Sequence, residues 1–200
     1  GRLRIAALWP ILLLLASCYA PAAGLRGLWA GPSLTDIFGA DRAEIGRVTL
    51  IMGLAMVVGN FAYGPLERVF QSRKWLIFGG NVVVLISLLL LVRNPQQDPT
   101  LLFAAIGLFG ASFPMVMAHG RALLPAHLVG RGVTLINLFS IGTAGLAQYA
   151  TGAIHTALTP SFAKINSAPT ATPYVGILLF YAALVAVGLF VYLWSKDRTD

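Results

Sequence analysis

Six apolar runs, each near the ~20 residues that a helix needs to cross a bilayer, take up most of this chain. They fall at roughly 5–30, 47–64, 75–93, 101–119, 132–154 and 174–194. In lipid, a run of this kind satisfies its backbone N–H and C=O groups only as a helix or within a closed barrel. The expected fold is therefore an all-α integral membrane protein, a single bundle of six transmembrane helices over residues 1–200. Charge is scarce to match: 58% of the 200 residues are hydrophobic, only 10% are charged, and the mean hydropathy is +0.80. A soluble domain of this size carries far more charge.

The 14 Lys and Arg outnumber the 7 Asp and Glu, but they sit at the ends of apolar runs and not in patches. That pattern orients spans in a membrane and does not suit nucleic acid. With six spans, both termini and the segments at 64–74 and 120–131 share one face. This face holds nine basic residues: Arg2, Arg4, Arg68, Arg73, Lys74, Arg121, Arg131, Lys196 and Arg198. The opposite face holds five: Arg26, Arg42, Arg47, Arg93 and Lys164. The excess predicts cytoplasmic termini in a multi-pass protein of the cell (inner) membrane. The chain opens Gly1-Arg2-Leu3-Arg4 without an initiator Met and reads as a piece of something longer. Leu15-Ala16-Ser17-Cys18 fits a lipoprotein cleavage box, yet five more apolar runs follow, so the first run is read as a true span. Cys18 is the single cysteine and excludes an internal disulfide.

Pro10, Pro21, Gly24, Gly27 and Gly31 predict that the outer part of the first span is bent or partly unwound. The polar segment from Pro32 to Arg47, with Asp36, Asp41, Arg42 and Glu44, is expected to be a solvated loop. Asn94 to Pro99 reads as a short turn and Thr156 to Pro173 as a longer loop. Spans one and four both carry a mid-to-late proline, Pro21 and Pro114, with glycines nearby, a pattern that two inverted three-helix repeats would produce.

The densest cluster of charge is Gly64-Pro65-Leu66-Glu67-Arg68-Val69-Phe70-Gln71-Ser72-Arg73-Lys74, expected to be a tight turn between spans two and three. Its Gly64-x-x-Glu67-Arg68-x-x-x-x-Arg73-Lys74 pattern resembles the cytoplasmic signature loop of the major facilitator superfamily, and Gly27-Leu28-Trp29-Ala30-Gly31-Pro32 is similar to the same family. Two positions depart from the family pattern. Glu67 stands where aspartate is usual, and Gln71 stands about where a second glycine is usual. The resemblance covers essentially the whole chain as the carboxy-terminal six-helix half of a twelve-helix transporter. It implies a partner amino-terminal half, a solute held between the halves, and alternating access as the halves rock. It also implies that Gly64, Glu67, Arg68, Arg73 and Lys74 form a gating element. Glu67 would face a helix dipole of the other half, while the basic residues hold carboxylates or lipid phosphates. As orientation signals alone, the same residues would need no partner.

Candidate solute contacts lie in spans one and five. Asn137, Ser140, Ala144, Gln148, Thr151 and His155 fall within an arc of about 80° at about 100° per residue. Such a stripe is either a cavity wall, with Asn137, Ser140 and Gln148 as solute contacts, or hydrogen-bonding glue between helices. Arg26 either snorkels to the outer boundary or binds an anionic group, and Tyr19 and Trp29 either stack on a solute or anchor the interface. Asn60 and Asn81 are expected to be buried in helix packing, and His119 and His127 to be solvated. No membrane-embedded Asp or Glu is apparent.

The functional expectation is transport of a small polar or anionic solute, without catalytic residues, cofactor or metal. Three scattered histidines and one cysteine leave no ligand set. One alternative is an intramembrane protease, because Gly110-Ala111-Ser112 with His155 is similar to a rhomboid Gly-x-Ser-Gly and histidine pair. Phe113 replaces the second glycine, and the two residues should lie at different depths. Another alternative is a non-transporting six-helix membrane module.

Overall fold

A computed structural model describes residues 9–122, 124, 126–159 and 171–195. Among them six helices are long and apolar enough to cross a membrane. They are α1 (Trp9–Phe38), α2 (Arg42–Phe70), α3 (Arg73–Arg93), α4 (Thr100–Ala122), α5 (Val129–Leu158) and α6 (Thr172–Tyr192). No strand occurs among the described residues. The spans expected at 47–64, 75–93, 101–119, 132–154 and 174–194 each fall on one of α2 to α6, and the start of the 5–30 span lies outside the described residues. Of the residues counted for sidedness, Arg2, Arg4, Lys164, Lys196 and Arg198 also lie outside them.

Two polar segments expected as loops are helical. Pro32 to Phe38 continues α1, which ends where Gly39 takes a left-handed φ of 65° and its N–H donates to the Thr35 carbonyl. Asp41 then opens α2 through a capping box: its carboxylate accepts from Glu44 N–H (2.9 Å), and Glu44 accepts from Asp41 N–H (3.1 Å). Asp41 and Glu44 are therefore helix-start chemistry, and only 39–41 connect the two helices. Likewise Gly64 to Phe70 belong to α2, with Pro65 inside it. The turn is reduced to Gln71, at a φ of 50°, and Ser72, whose hydroxyl accepts from Trp75 N–H (3.3 Å) to start α3. In both places polar residues mark solvent exposure, and the backbone stays helical because caps satisfy its ends.

Proline goes with irregular backbone in two helices, in α1 as expected and in α4 as well. In α1, Leu25–Trp29 is a π-turn, with Ala30 N–H bonding back to the Leu25 carbonyl, just before Pro32. Pro32 brings no N–H and crowds the preceding turn, which the wider ring accommodates. In α4, the helix stops at Gly110 and restarts at Phe113, so Pro114 falls in the first turn of the second segment. The carbonyl of Phe109, next to this break, accepts from Tyr63 of α2 (2.8 Å), and buried Ser112 within it accepts from Asn81 of α3 (3.2 Å).

The core is α1. Its apolar stretch is 67% buried, against 17% for α2 and for α5. It packs against α4, α5 and α6, while α4 packs against α1, α2 and α3, and α3 against α6. Glycine sets the α2–α4 spacing. A Cβ on Gly59 would lie 2.2 Å from the Leu108 carbonyl oxygen, and one on Gly107 would lie 2.6 Å from that of Met52. The outward sides of α2 and α5 show Leu54, Phe61, Leu138, Leu146 and Tyr149. Two side chains differ from expectation. His119 is fully buried, because it faces α6 and its Nδ1 shares a hydrogen bond with the Tyr192 hydroxyl (2.8 Å). Asn60 is exposed on the outward side of α2, whereas Asn81 is buried as expected.

Gly59→Ala forces backbone apart and is expected to cost about 1–3 kcal/mol. Gly79→Ala meets nothing within 4 Å and is expected to stabilise by roughly 0.5–1 kcal/mol. Thermal unfolding of the detergent-solubilised protein reads both.

Candidate functional site

Small residues on facing sides of α1 and α2 hold the two helices around an open groove of about 640 Å³. From α1 it is lined by Tyr19, Ala22, Ala23, Arg26 and Gly27, and from α2 by Gly46, Thr49, Leu50 and Met56. Arg26 stands in the π-turn, and its guanidinium lies over Gly53, where a Cβ would meet Nη2 at 3.5 Å. Gly53 follows Arg42 by eleven residues, about 17 Å along α2 at about 1.5 Å per residue. It is six residues from Arg47, about 9 Å, and fourteen from Glu67, about 21 Å. Arg26 therefore reaches the middle of α2 and not its charged end. It is exposed to the groove and has neither ion pair nor hydrogen bond among the described residues. A guanidinium between apolar helices with its donors free can hold an anion.

Tyr19 lines the same groove, its ring tilted against Phe113 with centroids 5.1 Å apart. The residues foreseen on α5 do not line it. Ser140 is fully buried, with no partner for its hydroxyl among the described residues, and Asn137 and Gln148 are half-buried. Higher in the stripe the side chains bind neighbouring helices. Thr151 accepts from the Trp29 indole N–H (3.0 Å), and His155 stacks on the Trp29 ring at 5.1 Å. Gly46 and Thr49 were not foreseen as lining, nor Gly53 as the surface beneath Arg26. Their spacing of three and four puts three small residues on one face of α2, and that signal was readable.

At the Gln71 end lie the residues expected to form a gating element. Glu67 pairs with Arg73 through Nη2, and Arg73 Nε donates to it at 2.7 Å. Lys74 donates to the carbonyls of Leu193 (2.7 Å) and Ser195 (2.6 Å), binding the start of α3 to the end of α6, where a cation suits the helix dipole. Arg68 is exposed, without an ion pair among the described residues, beside an open hollow that it lines with Gly64, Pro65, Glu67 and Gln71.

Toward the other end, Asp36 accepts a hydrogen bond from the Tyr174 hydroxyl, so a half-buried carboxylate does stand on a membrane-length helix. The sequence reading missed it because it put Asp36 in a loop. Among the described residues no three His, Cys, Asp or Glu side chains gather to hold a metal ion. No protein-family model matches the chain, and no curated protein matches it in sequence.

Accessibility separates the groove from the stripe. Cysteine at Ala23 or Thr49 is expected to react with a water-soluble thiol reagent at least about tenfold faster than cysteine at Ser140, because burial blocks the thiolate.

Proposed function

We propose that the chain is a six-helix half of a secondary transporter resembling the major facilitator superfamily, and that it moves a small polar or anionic solute across the cell (inner) membrane. The observation that carries this reading is Arg26: a guanidinium without an ion pair among the described residues, level with the middle of α2, at an open groove. The apolar outward sides of α2 and α5 support residence in a bilayer, and the excess of Lys and Arg counted on the face of the 64–74 and 120–131 segments supports cytoplasmic termini. An anion is the preferred cargo, held by Arg26 and flanked by Tyr19, with the second six-helix half closing the groove.

Two further features support the family reading. Gln71, where the family has a second glycine, takes the left-handed φ that glycine favours. The packing also maps onto itself when α1, α2 and α3 are exchanged for α4, α5 and α6: α1 against α5 answers to α4 against α2, and α1 against α6 to α4 against α3. Three helices per unit reverse the second unit in the membrane, as inverted repeats require. The protease alternative gains no support. Ser112 accepts from Asn81, His155 stacks on Trp29, and no hydrogen bond joins Ser112 to His155 among the described residues.

Arg26→Gln is expected to weaken binding of an organic anion about 10- to 100-fold, in line with the ~1.5–3 kcal/mol of hydrogen bonds to a charged group. Radiolabelled uptake into vesicles reads it; reduced expression with normal uptake per molecule would remove Arg26 from the site. Glu67→Gln breaks a partly exposed pair worth about 1 kcal/mol or less, so uptake rate should change by up to about fivefold with unchanged selectivity. Unaltered kinetics would remove the gating role.

A further inference from the structure

Arg26 divides the groove into two unlike parts. α1 and α2 are consecutive and antiparallel, joined only through 39–41, so residues before Arg26 and residues after Gly53 lie in the same direction, toward the Gln71 end. In that direction Tyr19 stands seven residues from Arg26, about 10 Å along α1, with Ala22 and Ala23 between them. Met56 stands three residues from Gly53, about 5 Å along α2. This part of the groove is therefore apolar: two alanines, a thioether and an aromatic ring. The other part holds Gly27, Gly46 and Thr49, whose hydroxyl donates to the Ile45 carbonyl (2.8 Å).

Tyr19 and Met56 are both backed by α4. The Tyr19 ring tilts at 41° against Phe113, which opens the second segment of that helix. Met56 rests by Gly107, where a Cβ would meet its Cγ at 3.2 Å. A planar ring lying on the two alanines would meet the Tyr19 ring on one helix and the Met56 sulfur on the other, and aromatic groups gain from both contacts. Charge is counted as simply. Arg26 is the one charged residue among those lining the groove, and Arg47 lines a different hollow with Glu44 and Asp98. One guanidinium offsets one negative charge. A second carboxylate on the solute would lie among apolar side chains without a cation, and an ammonium would meet Arg26 with no lining carboxylate to offset it.

We infer that the groove selects aromatic monocarboxylates, with the carboxylate on the Arg26 fork and the ring between Tyr19 and Met56. A guanidinium binds a planar carboxylate through two parallel hydrogen bonds, which fixes the direction in which the rest of the solute points. The inference rests on the proposed anion site and names the class of anion.

Four probes that differ by one group test it: 3-phenylpropanoate, propanoate without the ring, phenylalanine with an added ammonium, and benzylsuccinate with a second carboxylate. Equilibrium dialysis of each radiolabelled compound against the full chain in lipid nanodiscs, with empty nanodiscs subtracted, gives the affinities. 3-Phenylpropanoate is expected to bind at least about tenfold tighter than the other three. Tyr19→Leu should remove most of its advantage over propanoate, and Tyr19→Phe should keep it. Ala23→Leu, which fills the floor under the ring from a half-buried position, should act like Tyr19→Leu and leave propanoate binding unchanged. Equal binding of propanoate, or a ring preference that survives both Tyr19→Leu and Ala23→Leu, overturns the aromatic slot. Phenylalanine or benzylsuccinate bound as tightly as 3-phenylpropanoate overturns the single charge. In either case, loss of binding in Arg26→Gln leaves the anion site standing. No binding of any acid, or binding indifferent to Arg26→Gln, removes that site and this inference together.

Discussion

Everything distinctive in this bundle follows from what proline does to a helix that has no other way to satisfy its backbone. A proline removes one N–H and crowds a carbonyl one turn back, and a membrane-length helix cannot leave that to water. In α1 the response is the Leu25–Trp29 π-turn, and in α4 it is the stop and restart at Ala111–Ser112. Side chains with polar work gather at these two places. Arg26 and Trp29 leave the π-turn in different directions, while Tyr63 and Asn81 reach the α4 break from α2 and α3.

Small residues then decide which helices touch and which leave space. Between α2 and α4, Gly59 and Gly107 let backbone meet backbone. Between α1 and α2, Ala22, Ala23, Gly27 and Gly46 leave an open groove instead, and Arg26 lies across Gly53 because a glycine there offers it a flat surface. The same residue type closes one interface and opens another, according to whether carbonyl or guanidinium faces it. Around this, α2 and α5 stay on the outside and show apolar side chains, while α1 runs through the centre.

Charge is spent at the two ends. At one, Glu67 and Arg73 span the Gln71–Ser72 turn, and Lys74 ties α3 to the last carbonyls of α6. At the other, Asp36, Tyr174, His155 and Trp29 join α1, α5 and α6. Arg26 sits between these belts without an ion pair among the described residues.

The amino-acid sequence by itself determined the number of helices, their apolar character and the irregularity of the first, because length, hydropathy and proline act locally. It also marked Tyr19 and Arg26, which the fold brings to one groove. It misjudged the polar segments at 32–47 and 64–74, since Asp41, Glu44 and Ser72 cap helices as readily as they solvate loops. It left the α5 stripe open between cavity and glue, and the burial of Ser140 and the Trp29–Thr151 bond depend on which helix lies opposite. Only the tertiary structure decided that Arg26 reaches the middle of α2, that Asp36 and His155 meet through Tyr174, and that His119 is buried against Tyr192. A sequence records what a side chain is and which face of its own helix it occupies; depth and neighbours are set by how six helices pack.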